Sequence, residues 1–70
     1  MPHLHPLERD FLHYVARLGR AARICDDAFY SRLETLIRTF RARGLSADMV
    51  PAGIRLARSW RDFFRAQVAA

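Results

Sequence analysis

Apolar side chains recur every three or four residues along most of the chain, which is the spacing of one face of an α-helix. Short polar or glycine- and proline-containing segments divide this pattern into three stretches, which predict helices over about residues 7–22, 27–43 and 51–67. Each helix has one apolar face to bury, so the pattern predicts an all-α fold, a small three-helix bundle. Dimerisation could complete the core of this bundle. Residues 1–6 are expected to form a flexible N-terminal tail, and residues 7–70 a single helical domain.

The first predicted helix carries one apolar stripe, and Leu12 stands away from it. Pro6 suits a first helical turn, because proline lacks only a hydrogen bond that this turn does not need. Gly19 costs about 1 kcal/mol relative to alanine inside a helix, so the helix is expected to end or bend there. The stripe comprises Leu7, Phe11, Tyr14, Val15, Leu18 and Ala22.

The second predicted helix has the clearest boundaries. Asp26 or Asp27 is expected to cap its first amides, and Gly44 to supply the left-handed residue that ends many helices. Glu34 and Arg38, four residues apart, are expected to pair on its outer face. Its apolar stripe comprises Phe29, Leu33, Leu36, Ile37 and Phe40, with Tyr30 at the edge.

The third predicted helix has the widest apolar face, centred on Trp60. Arg58, Arg61 and Arg65 form a cationic ridge beside it, and Asp62 is placed to pair with Arg58 or Arg65. So small a bundle is not expected to bury this face and Tyr30 together. The face comprises Leu56, Ala57, Trp60, Phe63, Phe64 and Val68.

The connection between the second and third helices partly resembles the turn of a DNA-binding helix-turn-helix. Gly44, Leu45 and Val50 have the required types and spacing. Phe40 stands where that motif usually has a small residue, and Pro51 would interrupt the recognition helix. The favoured interpretation is a corner between two packed helices, with a fresh helix start at Pro51; a degenerate DNA-reading motif over Gly44–Val50 is the alternative.

Composition narrows the classes of function. Seventy residues allow one domain, and a single cysteine excludes an intramolecular disulfide. All twelve basic residues are arginine, which a GC-rich genome alone would explain, but the net charge of +5 still favours an acidic partner. The absence of a recognisable signal sequence or an apolar run of about 18 residues predicts a cytoplasmic protein.

No combination of residues indicates catalysis, a cofactor or a metal. His3, His5 and His13 are interpreted as solvated surface residues, since no carboxylate cluster accompanies them. Cys25 is interpreted as a half-buried loop cysteine with no base beside it. The seven acidic residues have local explanations as caps or helix-pair members. The chain is therefore predicted not to be an enzyme.

Three classes of partner remain. The favoured prediction is a small regulatory, inhibitor or adaptor protein that binds another protein, or a second copy in a homodimer, through an aromatic face flanked by arginine. The alternative is a nucleic-acid-binding protein, and a peripheral membrane-surface binder is the third and least favoured. The predicted partner-binding residues are Leu56, Trp60, Phe63, Phe64, Arg58, Arg61, Arg65 and Tyr30. The nucleic-acid residues would be Arg17, Arg20, Arg41, Arg43, Arg58, Arg61 and Arg65.

Overall fold

Three helices make up most of the chain in a computed structural model that describes residues 5–21 and 23–69. They are α1 (Pro6–Arg20), α2 (Asp26–Ala42) and α3 (Met49–Ala69). The predicted three-helix bundle is confirmed, and α3 begins two residues earlier and ends two residues later than the hydrophobic pattern indicated. Of the predicted tail at residues 1–6, residues 1–4, which include His3, lie outside the described residues, and Pro6 is the first residue of α1. The core assignment of Ala22 also lies outside the described residues.

The core is built from aromatic and aliphatic side chains of all three helices and the second connection. On α1, Phe11 and Val15 are fully buried, and the Phe11 ring lies 5.5 Å from that of Phe40 on α2. Leu12, expected to stand apart, is half-buried and packs against this core. Tyr14, expected inside, is 46% exposed. The buried apolar residues are Phe11, Val15, Phe29, Leu33, Phe40, Leu45 and Ala57.

Two glycines allow α1 and α3 to pack closely. A Cβ atom on Gly19 would lie 2.6 Å from the carbonyl oxygen of Ala57, and one on Gly53 would overlap the ring of Phe11. These pairs also show that α1 and α3 run in the same direction. Helix α1 ends at Arg20, one residue after Gly19, in agreement with the expectation that this glycine ends or bends the helix. Gly19 also allows the close contact with α3.

The connection between α2 and α3 is a corner of the Schellman type. Gly44 has a φ of 104°, its N–H donates to the Arg41 carbonyl, and the Leu45 N–H donates to the Phe40 carbonyl. Leu45 and Phe40 are both buried, which supplies the apolar contact typical of this motif. Helix α3 then starts at Met49, so Pro51 lies in its first turn, where proline is tolerated.

The helix caps differ from those expected. Cys25 is the N-cap of α2 without a side-chain hydrogen bond, so neither Asp26 nor Asp27 caps this helix. Cys25 is exposed rather than half-buried. His5 caps α1, its Nδ1 atom accepting a hydrogen bond of 3.1 Å from the Leu7 N–H. The expected Glu34–Arg38 pair is present at 2.6 Å.

The helices are unevenly packed, and the molecule is flattened. Helix α1 packs most extensively on α3 and then on α2, whereas α2 and α3 approach each other least. The Cα atoms span 38 × 28 × 15 Å. Between α2 and α3 lies an apolar groove lined by Tyr30, Leu33, Glu34, Ile37 and Ile54.

Candidate partner-binding surface

A contiguous group of large apolar side chains remains at the surface of the C-terminal half of α3. We call this group the aromatic patch; it consists of Trp60, Phe63, Phe64 and Val68. Phe63 and Val68 are 54% and 62% exposed, and Trp60 and Phe64 are half-buried. The Trp60 ring stacks on that of Phe64 at 5.5 Å, and Phe63 packs edge-on against Phe64 at 5.3 Å. The aromatics thus support one another while presenting an apolar surface to solvent.

The patch is exposed because α3 extends beyond the end of α1, the helix that packs against it. Helix α1 ends at Arg20, whose guanidinium lies 5.7 Å from the centre of the Trp60 ring, while α3 continues to Ala69. The turns of α3 that follow Trp60 are therefore not covered by α1. A cation over an aromatic face is attractive, so Arg20 closes the end of the α1–α3 contact and forms one border of the patch.

Arg61 is not part of an exposed cationic ridge, contrary to the prediction. It is 4% exposed and lies on the buried stripe of α3 that Gly53 and Ala57 begin, each four residues apart. Its Nη2 atom donates to the Ile24 carbonyl at 2.9 Å. Its guanidinium carbon lies 4.4 Å from the centre of the Phe29 ring, which offsets part of the cost of burying the charge.

Asp26 joins α2 to α3 through two arginines. Its Oδ1 atom is 2.7 Å from Nη2 of Arg61 and 3.1 Å from Nη2 of Arg65. The hydrogen bond from Arg61, followed by the charge of Arg65, lowers the pKa of the Asp26 carboxyl below its ordinary value. The predicted pairing of Asp62 with Arg65 is therefore replaced by a contact between helices. Among the described residues, Asp62 forms no ion pair with Arg58 either.

The other predicted partner-binding residues are distributed over different parts of the surface. Leu56 is half-buried and packs against the core. Arg58 is exposed and lines a shallow polar depression with Arg55 and Asp62, away from the aromatic patch. Tyr30 is 48% exposed but lines the groove between α2 and α3, so it does not join the patch. Sequence reasoning grouped these residues because it could not assign their helix faces to neighbours.

Five of the seven predicted nucleic-acid residues lie at two ends of the bundle. Arg41 donates to the Leu45 carbonyl and Arg43 lies 5.1 Å from the centre of the Phe40 ring, both at the corner after α2. Arg20, Arg61 and Arg65 are at the other end of the bundle, in the contacts described above. Arg17 on α1 and Arg58 on α3 are exposed.

A groove of about 290 Å³ adjoins the aromatic patch where the connection between α1 and α2 passes the end of α3. Ile24, Phe64 and Val68 supply its apolar lining, and Arg20 and Arg23 its charged lining. The sequence did not single out Ile24 or Arg23, because both stand in a connection outside the helical periodicity. Their only signal was an apolar residue and a cation next to the predicted start of α2.

Within residues 5–21 and 23–69, no cluster of three His, Cys, Asp or Glu side chains could hold a metal ion. None of the described helices combines the length and apolar character required to cross a membrane. Comparisons with protein-family models, with curated proteins and with solved structures find no match for this chain.

Proposed function

We propose that this chain is a small non-enzymatic regulatory, inhibitor or adaptor protein that acts by binding another protein through the aromatic patch. The observation that carries the proposal is the exposure of Phe63 and Val68 beside half-buried Trp60 and Phe64. Aromatic residues next to arginine are enriched at the energetic centres of protein interfaces. A second copy of the chain is one candidate for the partner.

Nucleic-acid binding is the alternative function and draws less support. The net charge of +5 and the exposed Arg17 and Arg58 favour it. Against it, Arg61 is buried, and Arg65 is engaged by Asp26. The remaining arginines of the set are divided between two ends of the bundle, whereas phosphate recognition needs a continuous basic surface.

Site-specific photo-cross-linking in cells that make the protein tests the proposal. A benzophenone amino acid replaces Phe63 in one variant and Thr39, an exposed residue of α2, in a matched control. We expect one protein species of discrete mass to be linked from position 63, not from position 39, and to be lost when Phe64→Ala is added. Equal products from both positions, or none from position 63, would contradict the proposal.

Two measurements on the purified chain separate the remaining possibilities. Sedimentation over a range of concentrations shows whether the partner is a second copy, in which case Phe63→Ser gives a monomer. Titration with a labelled random-sequence DNA duplex over a salt series addresses the alternative. Tight binding would favour nucleic acid over protein if the logarithm of the association constant falls linearly with the logarithm of salt concentration and if the binding persists in Phe63→Ser.

A further inference from the structure

The groove next to the aromatic patch has a one-sided charge. Arg20 and Arg23 stand three residues apart along its border, and its described lining contains no acidic side chain. Asp26, two residues beyond Ile24, is paired with Arg61 and Arg65, so its negative charge is already balanced by two arginines. A ligand in the groove therefore meets an apolar floor beneath a positive border, which favours acidic groups beside apolar ones.

The same region indicates the backbone conformation of such a ligand. The groove is lined by the end of α1, the connection that follows it and the last turns of α3. Among the described residues there is no strand, so none offers an edge on which a peptide could complete a sheet. A helical segment needs no such edge, because its backbone hydrogen bonds are internal, and its apolar face can lie in an apolar groove.

We infer that the partner presents an acidic amphipathic helix to this groove, with aliphatic residues against Ile24, Phe64 and Val68 and carboxylates near Arg20 and Arg23. This inference rests on the proposed function, because it specifies the kind of protein surface that the aromatic patch binds. It adds a sign of charge and a secondary structure, neither of which the patch alone specifies.

Trp60 is the only tryptophan in the chain, so its fluorescence reports on binding at the patch without a label. The probes are three synthetic peptides of about 18 residues, long enough for a helix to form on binding. They share one leucine face and carry glutamate, glutamine or lysine at the other positions. We expect the glutamate peptide to bind roughly tenfold more tightly than the glutamine peptide, and the lysine peptide most weakly.

The Arg20→Glu/Arg23→Glu variant should reverse that order and favour the lysine peptide. Arg9→Glu/Arg32→Glu is the matched control: it makes the same change in net charge at two exposed residues outside the groove and should keep the order of the unchanged chain. Circular dichroism of both variants checks that the bundle is intact. Identical peptide preferences in the two variants would place binding outside the groove and overturn the inference.

Other outcomes separate this inference from the proposed function. Equal affinity for the glutamate and glutamine peptides, lost in Phe63→Ser, would overturn the acidic partner but support an apolar protein-binding patch. Failure of all three peptides would overturn the inference. If phosphatidylserine–phosphatidylcholine vesicles then shift Trp60 fluorescence while phosphatidylcholine vesicles do not, the patch binds an anionic lipid surface, and the protein-binding proposal fails as well.

Discussion

The two halves of α3 have similar lengths but opposite relations to the rest of the molecule. In residues 49–57, Gly53 is buried against the ring of Phe11 and Ala57 against the backbone at Gly19, both on α1. In residues 58–69, the bulky side chains of Phe63 and Val68 are more than half exposed. The comparison shows that small residues allow two helices to approach closely and exclude water. Large aromatic residues at the end of the longer helix stay exposed because no neighbouring helix extends far enough to cover them.

The largest effect is expected from breaking the close half. Gly19→Ala places a methyl group 2.6 Å from the Ala57 carbonyl oxygen and from Cβ of Trp60. Relieving this overlap requires the backbones of α1 and α3 to move apart. We expect a loss of about 2–3 kcal/mol in the free energy of unfolding, although alanine normally stabilises a helix by about 1 kcal/mol relative to glycine. Urea denaturation measures the difference.

A matched substitution tests that reasoning. Ser59→Ala changes an exposed residue of α3 and should alter the free energy of unfolding by no more than about 0.5 kcal/mol. If Gly19→Ala proves as stable as Ser59→Ala, or more stable than the unchanged chain, then α1 and α3 do not pack as closely as described.

The next effect concerns Arg61, which is buried although it belongs to the second half of α3. Arg61→Ala removes the cover over Phe29 and leaves the Ile24 carbonyl without its donor. We expect a loss of about 2 kcal/mol in thermal or urea denaturation. Arg58→Ala, at an exposed arginine three residues earlier, should be nearly neutral. Equal effects of the two substitutions would mean that Arg61 belongs to a solvated ridge after all.

A smaller effect is expected from the partner of Arg61, and it depends on pH. The Asp26 carboxyl has a lowered pKa in the folded chain because of Arg61 and Arg65. Its contribution to stability is therefore fully present above the ordinary carboxyl pKa and is lost as pH falls through the lowered value. In Asp26→Asn, the decline in melting temperature over that acidic range should be shallower. An unchanged acid profile would contradict the ion pairs.

The smallest effect on stability is expected in the open half. Phe63→Ser replaces a side chain that is already 54% exposed, so the free energy of unfolding should change by about 0.5 kcal/mol or less. The same change should reduce the fluorescence of the hydrophobic dye ANS bound to the native protein, because the aromatic patch becomes more polar. A destabilisation as large as that of Gly19→Ala would show that Phe63 belongs to the core.

Hydrophobic periodicity was sufficient to predict the three helices, since the stripe on α2 and the signal at Gly44 depend only on nearby residues. It was insufficient for Gly19, which in isolation weakens a helix and only beside Ala57 becomes a point of close contact. The surplus of apolar surface on α3 was also predictable, from the width of its face compared with the size of the bundle. Phe63 and Val68 indeed remain exposed.

The burial of Arg61 could not be predicted from hydrophobic periodicity. A charged residue is assigned to the solvent side of a helix by its type, and its burial depends on a carbonyl and a carboxylate supplied by another part of the chain. The groove at Ile24 was missed for a related reason, because irregular connections carry no periodic signal. Both features arise from tertiary contacts rather than from local propensity.

The contact between Arg61 and Asp26 joins residues 35 apart in a chain of 70. Closing a loop of that length costs entropy, so this contact depends on the packing that returns α3 along the bundle after the corner at Gly44. The turns of α3 beyond Arg61 should open most readily, and their amides should exchange with deuterium sooner than those near Gly53. Phe63, Phe64 and Val68 of the aromatic patch thus lie on the segment whose local stability a bound partner would raise most.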